Sequence, residues 1–397
     1  MYSYKFRMYP TKEQEVLLAK HFGSVRFVYN YFLNQRKQSY QTEKKTLGYF
    51  SNCKELTNIK QQGEFEWLKE INSQTLQATL KNLEGSYNSF FKKISKFPTF
   101  KSKKNFKQSF RVPQSVSVEN NKLHIPKFKG GIKIKLHRQI EGNIKFATLS
   151  KNSAGQYFVS LTVERENNIP QTTTKQAIGI DLGIKDLIVC SNGKKYPNLK
   201  AKKVLTFRIK LLQKRLSKKV NGSNNRIKAK TKLAKIHNKV SNQRANHIHK
   251  ITNQLTKENQ LIAMEDLNTK GMIKNHKLAN ALSDVAFGEI QRQLVYKSSW
   301  KGCILFKINR FYPSSKTCSN CGWINQSLKL SDRSWTCNNC NTHHDRDLNA
   351  SQNILWQALK TNTVGTTEIQ ACGLPNYGLK SNDLGSSGRL KQEAPSL

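Results

Sequence analysis

Four of the eight cysteines fall into two close pairs, Cys318-Ser-Asn-Cys321 and Cys337-Asn-Asn-Cys340, with fifteen residues between the pairs and Gly322 directly after the first. A two-residue gap lets both thiolates of a pair reach one ion, and two such pairs complete a tetrahedral zinc site. Four sulfur ligands leave no open position for water, so this Zn2+ would hold structure rather than perform chemistry. His343 and His344 could compete as ligands, although the thiolates already fill the site. Between the pairs, Trp323, Trp335, Lys329 and Arg333 offer stacking and phosphate contacts; alternatively, the tryptophans pack a small ribbon. The other cysteines, Cys53, Cys190, Cys303 and Cys372, are scattered, which suits a reducing compartment better than a disulfide framework.

The second chemical set is made of carboxylates. Ala177-Ile-Gly-Ile-Asp181-Leu-Gly183 is apolar until it reaches Asp181, as in a strand buried on both faces, and Leu261-Ile-Ala-Met-Glu265-Asp266 repeats the pattern. A third acidic group, Asp345-Arg-Asp347, opens a helix expected to run to about Leu359. Acids converging from several elements without imidazole or thiol favour Mg2+ or Mn2+, because hard cations prefer oxygen. Such a set suits phosphodiester hydrolysis by two cations about 4 Å apart. Glu265 and Asp266 would face opposite sides of a strand, and Asp345 and Asp347 would point apart on a helix, so one of each pair can face inward. The other acid of the last pair can serve as an N-cap. Asp181 alone could equally be a capped strand end.

These groups need elements to position them. Tyr2 to Tyr9 alternates as a short strand, and Thr11-Lys-Glu-Gln14 has capping-box spacing, so residues 11 to about 95 read as helical. Within them Ser73 can cap a helix with the stripe Leu76, Leu80, Leu83, Tyr87 and Phe91, while Arg26, Lys92 and Lys93 are candidates for a nucleic-acid face. From Phe97, five or six short alternating stretches predict a small antiparallel β-barrel with lysines on one face. Asn167 to Gln176 reads as a linker. Three strands, with an Asn192-Gly193 hairpin, two helices joined at 221–225, a strand, a helix over about 277–299, a strand and the last helix then follow. That is the order of ribonuclease H-like folds.

Composition narrows the partner. The chain has 397 residues, enough for two or three domains, and its 68 Lys+Arg against 25 Asp+Glu give a net charge of +43. Spread along the chain among aromatics, that charge fits nucleic acid better than a membrane patch. No run of about eighteen apolar residues exists and the start lacks a signal-peptide core, so a cytoplasmic, nucleoid-associated protein is expected.

Six stretches together carry a family resemblance: Tyr4-Lys-Phe-Arg-Met-Tyr-Pro-Thr-Lys-Glu-Gln14, Phe97-Pro-Thr-Phe-Lys-Ser-Lys103, Gly179-Ile-Asp-Leu-Gly183, Met264-Glu-Asp-Leu267, Arg310-Phe-Tyr-Pro-Ser-Ser-Lys-Thr-Cys-Ser-Asn-Cys-Gly322 and His344-Asp-Arg-Asp-Leu-Asn-Ala350. Over nearly its whole length the chain resembles the transposon-encoded TnpB family, compact RNA-guided DNA nucleases related to type V CRISPR effectors. The resemblance implies a multidomain α+β protein. Residues 1–10 would be the first strand of a wedge barrel, 11–95 a helical recognition lobe and 96–170 the rest of the wedge. A ribonuclease H-like (RuvC) α/β nuclease domain would span 175–310 and 345–360, with a zinc-ribbon insert at 311–344; the tail at 361–397, rich in Gly, Ser, Asn and Thr without an apolar period, itself reads as mostly disordered. Asp181, Glu265 and Asp347 would be the nuclease domain's catalytic, Mg2+-binding acids, leaving Asp266 and Asp345 as neighbours. The implied partners are a guide RNA from the transposon end, a double-stranded DNA target and a separate transposase of the same element. A guided repressor without cleavage, or a transposase acting on element ends, is the alternative.

Overall fold

The computed structural model describes residues 1–103, 108–165, 176–329 and 331–362. The linker expected at Asn167 to Gln176 falls, apart from Gln176, outside them, and so does the expected tail beyond residue 362. The described residues form two compact units, one drawn from Met1–Asn167 and Phe207–Lys239, the other from Asn168–Thr206 and Val240–Leu397. The fold is mixed α/β; the described strands form an antiparallel sheet of seven, a mixed sheet of five and an antiparallel pair. No described helix is long and apolar enough to cross a membrane.

The chain opens with β1 (Tyr2–Tyr9), whose alternation buries Tyr4, Phe6 and Met8. Helix α1 (Lys12–Glu43) begins at a capping box in which the Thr11 hydroxyl accepts from the Gln14 amide and the Gln14 side chain accepts from that of Thr11. Helix α2 (Tyr49–Gln61), a 3-10 stretch at Gly63–Glu70 and α3 (Ser73–Phe91) complete the helical part. Asn72, not Ser73, caps α3, accepting from the Thr75 amide, because Ser73 is already in the helix. Leu76, Leu80 and Leu83 are buried as the stripe predicts, whereas Phe91, the last helical residue, is exposed against Tyr87 and Phe90.

Strands β2 (Gln108–Val112), β3 (Ser117–Glu119), β4 (Lys122–His124), β5 (Ile132–Lys135), β6 (Asn143–Lys151) and β7 (Tyr157–Glu164) join β1 in an antiparallel sheet of order β2-β6-β7-β1-β5-β4-β3. This corrects the expected barrel, since among the described residues no hydrogen-bonded pair closes β2 on β3. The sheet nonetheless curls. Val112 and Ser117 are joined by a span of at most about 19 Å, whereas the edges of seven flat strands would lie about 29 Å apart. Closure fails because β3 has three residues and Pro113, directly after β2, has no N–H to donate.

The chain continues through β8 (Ala177–Asp181), β9 (Asp186–Cys190), β10 (Lys195–Pro197), α4 (Ala201–Ser217), α5 (Asn224–Glu258), β11 (Leu261–Glu265), α6 (Thr269–Met272), α7 (His276–Val285), α8 (Phe287–Lys301), β12 (Ile304–Ile308), β13 (Ser334–Thr336), β14 (His343–Asp345) and α9 (Arg346–Asn362). The single helix expected over about 277–299 is two helices, because Ala286 adopts a left-handed conformation, φ 57°, and breaks the run. The mixed sheet has the order β10-β9-β8-β11-β12. Strands β8, β11 and β12 are parallel, while β9 and β10 turn back antiparallel through Gly193.

A period of two sorts the central strands between two apolar layers. Ile178, Ile180, Ile262 and Met264 pack with Ile248, Ile251 and Leu255 of α5 and with Leu282, Ile290 and Leu294 of α7 and α8. The alternate positions, Ala177, Leu261 and Ala263, pack with Ile354, Leu355 and Ala358 of α9. Gly179 belongs to this second face, and a Cβ there would lie 2.1 Å from the Ser351 carbonyl oxygen and 2.8 Å from the Leu355 amide nitrogen. Glycine is therefore required by the close approach of α9 to β8. Gly179→Ala should lower stability by about 1–3 kcal/mol through overpacking, read as a shifted urea midpoint. An unchanged midpoint would show that α9 does not sit this close.

Candidate metal centres

The face that holds Gly179 also holds the acids. Two residues after Gly179, Asp181 ends β8 on the α9 side, and Glu265 ends β11 on that side, two residues after Ala263. The parallel register pairs Ile180 with Met264, so continuing it sets Asp181 beside Glu265. Helix α9 begins at Arg346, which puts Asp347 in its first turn, where the helix dipole favours a carboxylate. The structure thus brings Asp181, Glu265 and Asp347 together, close enough for the latter two to act on the charge of the first.

The two ambiguous neighbours have other partners. Asp266 lies past the end of β11 and pairs with Arg310 at 2.6 Å and Lys307 at 3.4 Å, which hold its carboxyl below the usual range. Asp345 is the cap of α9, accepting from the amides of Asp347 and Leu348, and its other oxygen pairs with Lys195 at 2.7 Å. Asp347 keeps a looser approach, 3.9 Å from the exposed Arg333 guanidinium. Glu265 accepts a hydrogen bond from the Ser314 hydroxyl at 2.5 Å. No local pattern in the sequence marks Ser314 as turned towards an acid, or Arg333 as the neighbour of one.

Burial, then Glu265, then Asp347 push the Asp181 carboxyl from 3.8 up to about 7. Burial also raises Glu265, against the Ser314 hydrogen bond. Carboxylates packed at this cost, with only the loose approach of Arg333 to offset them, are a donor set that a divalent ion relieves, and their all-oxygen chemistry fits Mg2+ or Mn2+. Spread over two ions about 4 Å apart, such ligands need not all crowd one point.

The thiols form a second centre. The donor atoms of Cys318, Cys321, Cys337 and Cys340 all lie within 4.8 Å of one another, with 3.6 Å between Cys318 and Cys340 and between Cys321 and Cys337. Four sulfurs each about 2.3 Å from one tetrahedral ion lie about 3.8 Å apart, so the set fits zinc. The two knuckles repeat one geometry: Gly322 and Asn341 take positive φ and donate to the carbonyls of Cys318 and Cys337. Trp335 is buried with Leu328, Cys318 and Cys337, so it packs the ribbon. His344, opposite Trp335 across the β13–β14 pair, is 3.0 Å from the Cys318 sulfur, a partner to a ligand where the four thiols complete the set.

Three family models match the chain, described as "Probable transposase" over residues 160–276, "Cas12f1-like, TNB domain" over 287–354 and "Helix-turn-helix domain" over 1–45. A Streptomyces pristinaespiralis protein is 37% identical over 91% of this chain and 90% of its own length. One from Escherichia coli K12 is 30% identical over 89% and 91%. Both carry the description "Putative RNA-guided DNA endonuclease". An Acanthamoeba polyphaga mimivirus protein described as TnpB-like is 26% identical over 48% of this chain and 40% of its own. Among solved structures, a Cas12f1-sgRNA-target DNA complex matches with a TM-score of 0.34 at 17% identity, over 89% of this chain and 98% of that one.

The carboxylate cluster makes stability depend on pH. Asp181 titrates near 7 when folded and at about 3.9 when unfolded. Between those values the folded protein retains a proton that the unfolded chain has released. The contribution to folding is therefore fully present below about pH 4 and is lost as pH rises through 7. In buffer without Mg2+ or Mn2+, wild-type stability should fall relative to Asp181→Asn between about pH 4 and 7, by on the order of a few kcal/mol in urea titrations. A difference that stays constant with pH would show that the acids do not crowd Asp181.

Proposed function

Since the chain belongs to the TnpB family, we propose that it is an RNA-guided DNA endonuclease, binding a guide RNA from the end of its transposable element and cleaving matching double-stranded DNA beside a short motif. The observation that carries this reading is the convergence of Asp181, Glu265 and Asp347 from β8, β11 and α9 on one side of a mixed sheet. The order of its strands and helices supports a ribonuclease H-like (RuvC) domain over 175–310 and 345–360, with the ribbon of 311–344 inserted before the last helix. In the same reading, residues 11–95 are a recognition lobe and 1–10 with 96–170 a wedge built on the curled sheet. The setting would be the prokaryotic cytosol, beside a separate transposase of the element.

Asp181, Glu265 and Asp347 would hold two Mg2+ or Mn2+ ions, which when bound supply water activation and neutralisation of the leaving 3′ oxygen. The protein's own part is to fix the acids on rigid elements with only a loose ion pair, Arg333 at 3.9 Å from Asp347, among them. Lys195, Lys307 and Arg310 are engaged by Asp345 and Asp266 instead. Cys318, Cys321, Cys337 and Cys340 would hold Zn2+ and keep the ribbon folded around Trp335. Guide pairing would read sequence, while a net charge of +43 serves the backbones of both an RNA and a DNA. A guided repressor would have no use for three crowded acids, which counts against that alternative.

The test is to purify the protein with its RNA, sequence that RNA, and offer matched duplex DNA with Mg2+ or with EDTA. Cleavage should require Mg2+ and be abolished by Asp347→Ala. Asp345→Ala should retain much of the activity at a cost of about 1 kcal/mol in stability, that of a lost N-cap. No cleavage of any matched target would overturn the nuclease reading, and the opposite ranking of the two variants would reassign the third acid.

A further inference from the structure

Ser314 reaches Glu265 from a segment that is itself clamped. Its hydroxyl donates to Glu265 Oε1 at 2.5 Å, and the residue is only 5% exposed. The backbone around it is gripped by one face of α9. Asn353 donates to the carbonyls of Ser314 at 2.8 Å and Thr317 at 2.6 Å, and Asn349 donates to Thr317 at 2.7 Å. Asn349 also accepts from the Ser319 amide at 2.8 Å, and Gln352 accepts from the Ser319 hydroxyl at 2.9 Å. Positions 349, 352 and 353 share a helical face, so these contacts form one continuous clamp. The Thr317 hydroxyl and amide both return to the Pro313 carbonyl, which tightens the turn that presents Ser314.

Both asparagines are buried, Asn349 at 1% and Asn353 at 3% exposure, and each spends its amide on backbone groups of this segment. Buried amides used in this way rigidify whatever they hold. A hydroxyl fixed on such a turn can favour one orientation of a carboxylate, since it occupies Oε1 and leaves Oε2 for another partner. The same helix carries Asp347 in its first turn, so α9 fixes one acid directly and a second through Ser314.

We infer that Ser314 is the positioning residue for Glu265, its hydroxyl holding the carboxylate in the orientation that binds a divalent cation beside Asp181. This rests on the reading of Asp181, Glu265 and Asp347 as a cation site. In this role Ser314 acts through Glu265. Loss of the hydroxyl should therefore weaken cation affinity about 10- to 100-fold, the range for a lost partner to a metal ligand.

The experiment titrates Mn2+ into the full-length, zinc-loaded protein and reads free Mn2+ by electron paramagnetic resonance. Asp181→Asn defines the binding that belongs to this site. Ser314→Ala should weaken that binding about 10- to 100-fold with zinc content and thermal midpoint retained, and Ser314→Thr, which keeps the hydroxyl, should restore most of it. Should the alanine variant lose its zinc, Ser314→Cys, of similar size with a weaker donor, takes its place under the same criterion. Wild-type affinity in the variant without the hydroxyl would overturn the role of Ser314 and leave the nuclease reading standing. A wild-type protein with no Mn2+ binding sensitive to Asp181→Asn would overturn the site reading, and this inference with it.

Discussion

Between the backbones of β8 and α9 there is no room for even a methyl group at Gly179, and the acid cluster depends on that contact. The alternation of a strand sends Asp181 to the same side as Gly179, and the N-terminus of the helix lying on that side carries Asp347. A register shared with β11 adds Glu265 to the same edge. Moving α9 outward by the width of a side chain would separate Asp347 from the other two acids. Closeness of backbone, rather than any attraction among the carboxylates, is what assembles the group.

The electrostatics run the other way. In a chain with a net charge of +43, three carboxylates are packed together, and burial, then repulsion from the charges of Glu265 and Asp347, raise the proton affinity of Asp181. Lys195, Lys307 and Arg310 pair instead with Asp345 and Asp266, the acids that lie just outside the cluster, and Arg333 comes no closer than 3.9 Å to Asp347. Folding energy from apolar packing on both faces of the sheet offsets this repulsion. On the proposed reading, a site with a hydroxyl orienting one acid and a helix end presenting another would be preorganised for cations.

Much of this was legible from local pattern. Strand β1, the Thr11 capping box, the apolar runs ending at Asp181 and Glu265, the last helix and the cysteine knuckles all stand where spacing predicts. Periodicity said that Glu265 and Asp266 face opposite ways, but which face α9 covers is a tertiary fact that a strand does not encode. Likewise β6 hides its inward residues as Ala147 and Leu149 between Phe146 and polar neighbours, with Phe146 turned out against Arg111. The break at Ala286 carries no proline and its nearest glycine, Gly288, lies inside α8, and the failure of the curled sheet to close depends on the length of β3 and the placement of Pro113. Ser314 stayed hidden for the same reason: its partner is forty-nine positions away and its orientation is set by α9.

The central claim is that Asp181, Glu265 and Asp347 form one divalent-cation site whose shape α9 fixes. The most direct measurement is anomalous scattering from a crystal soaked in Mn2+. The account predicts manganese bonded to oxygens of Asp181, Glu265 and Asp347, at about 2 Å. Manganese bound elsewhere, with these carboxylates paired to protein cations, would contradict it.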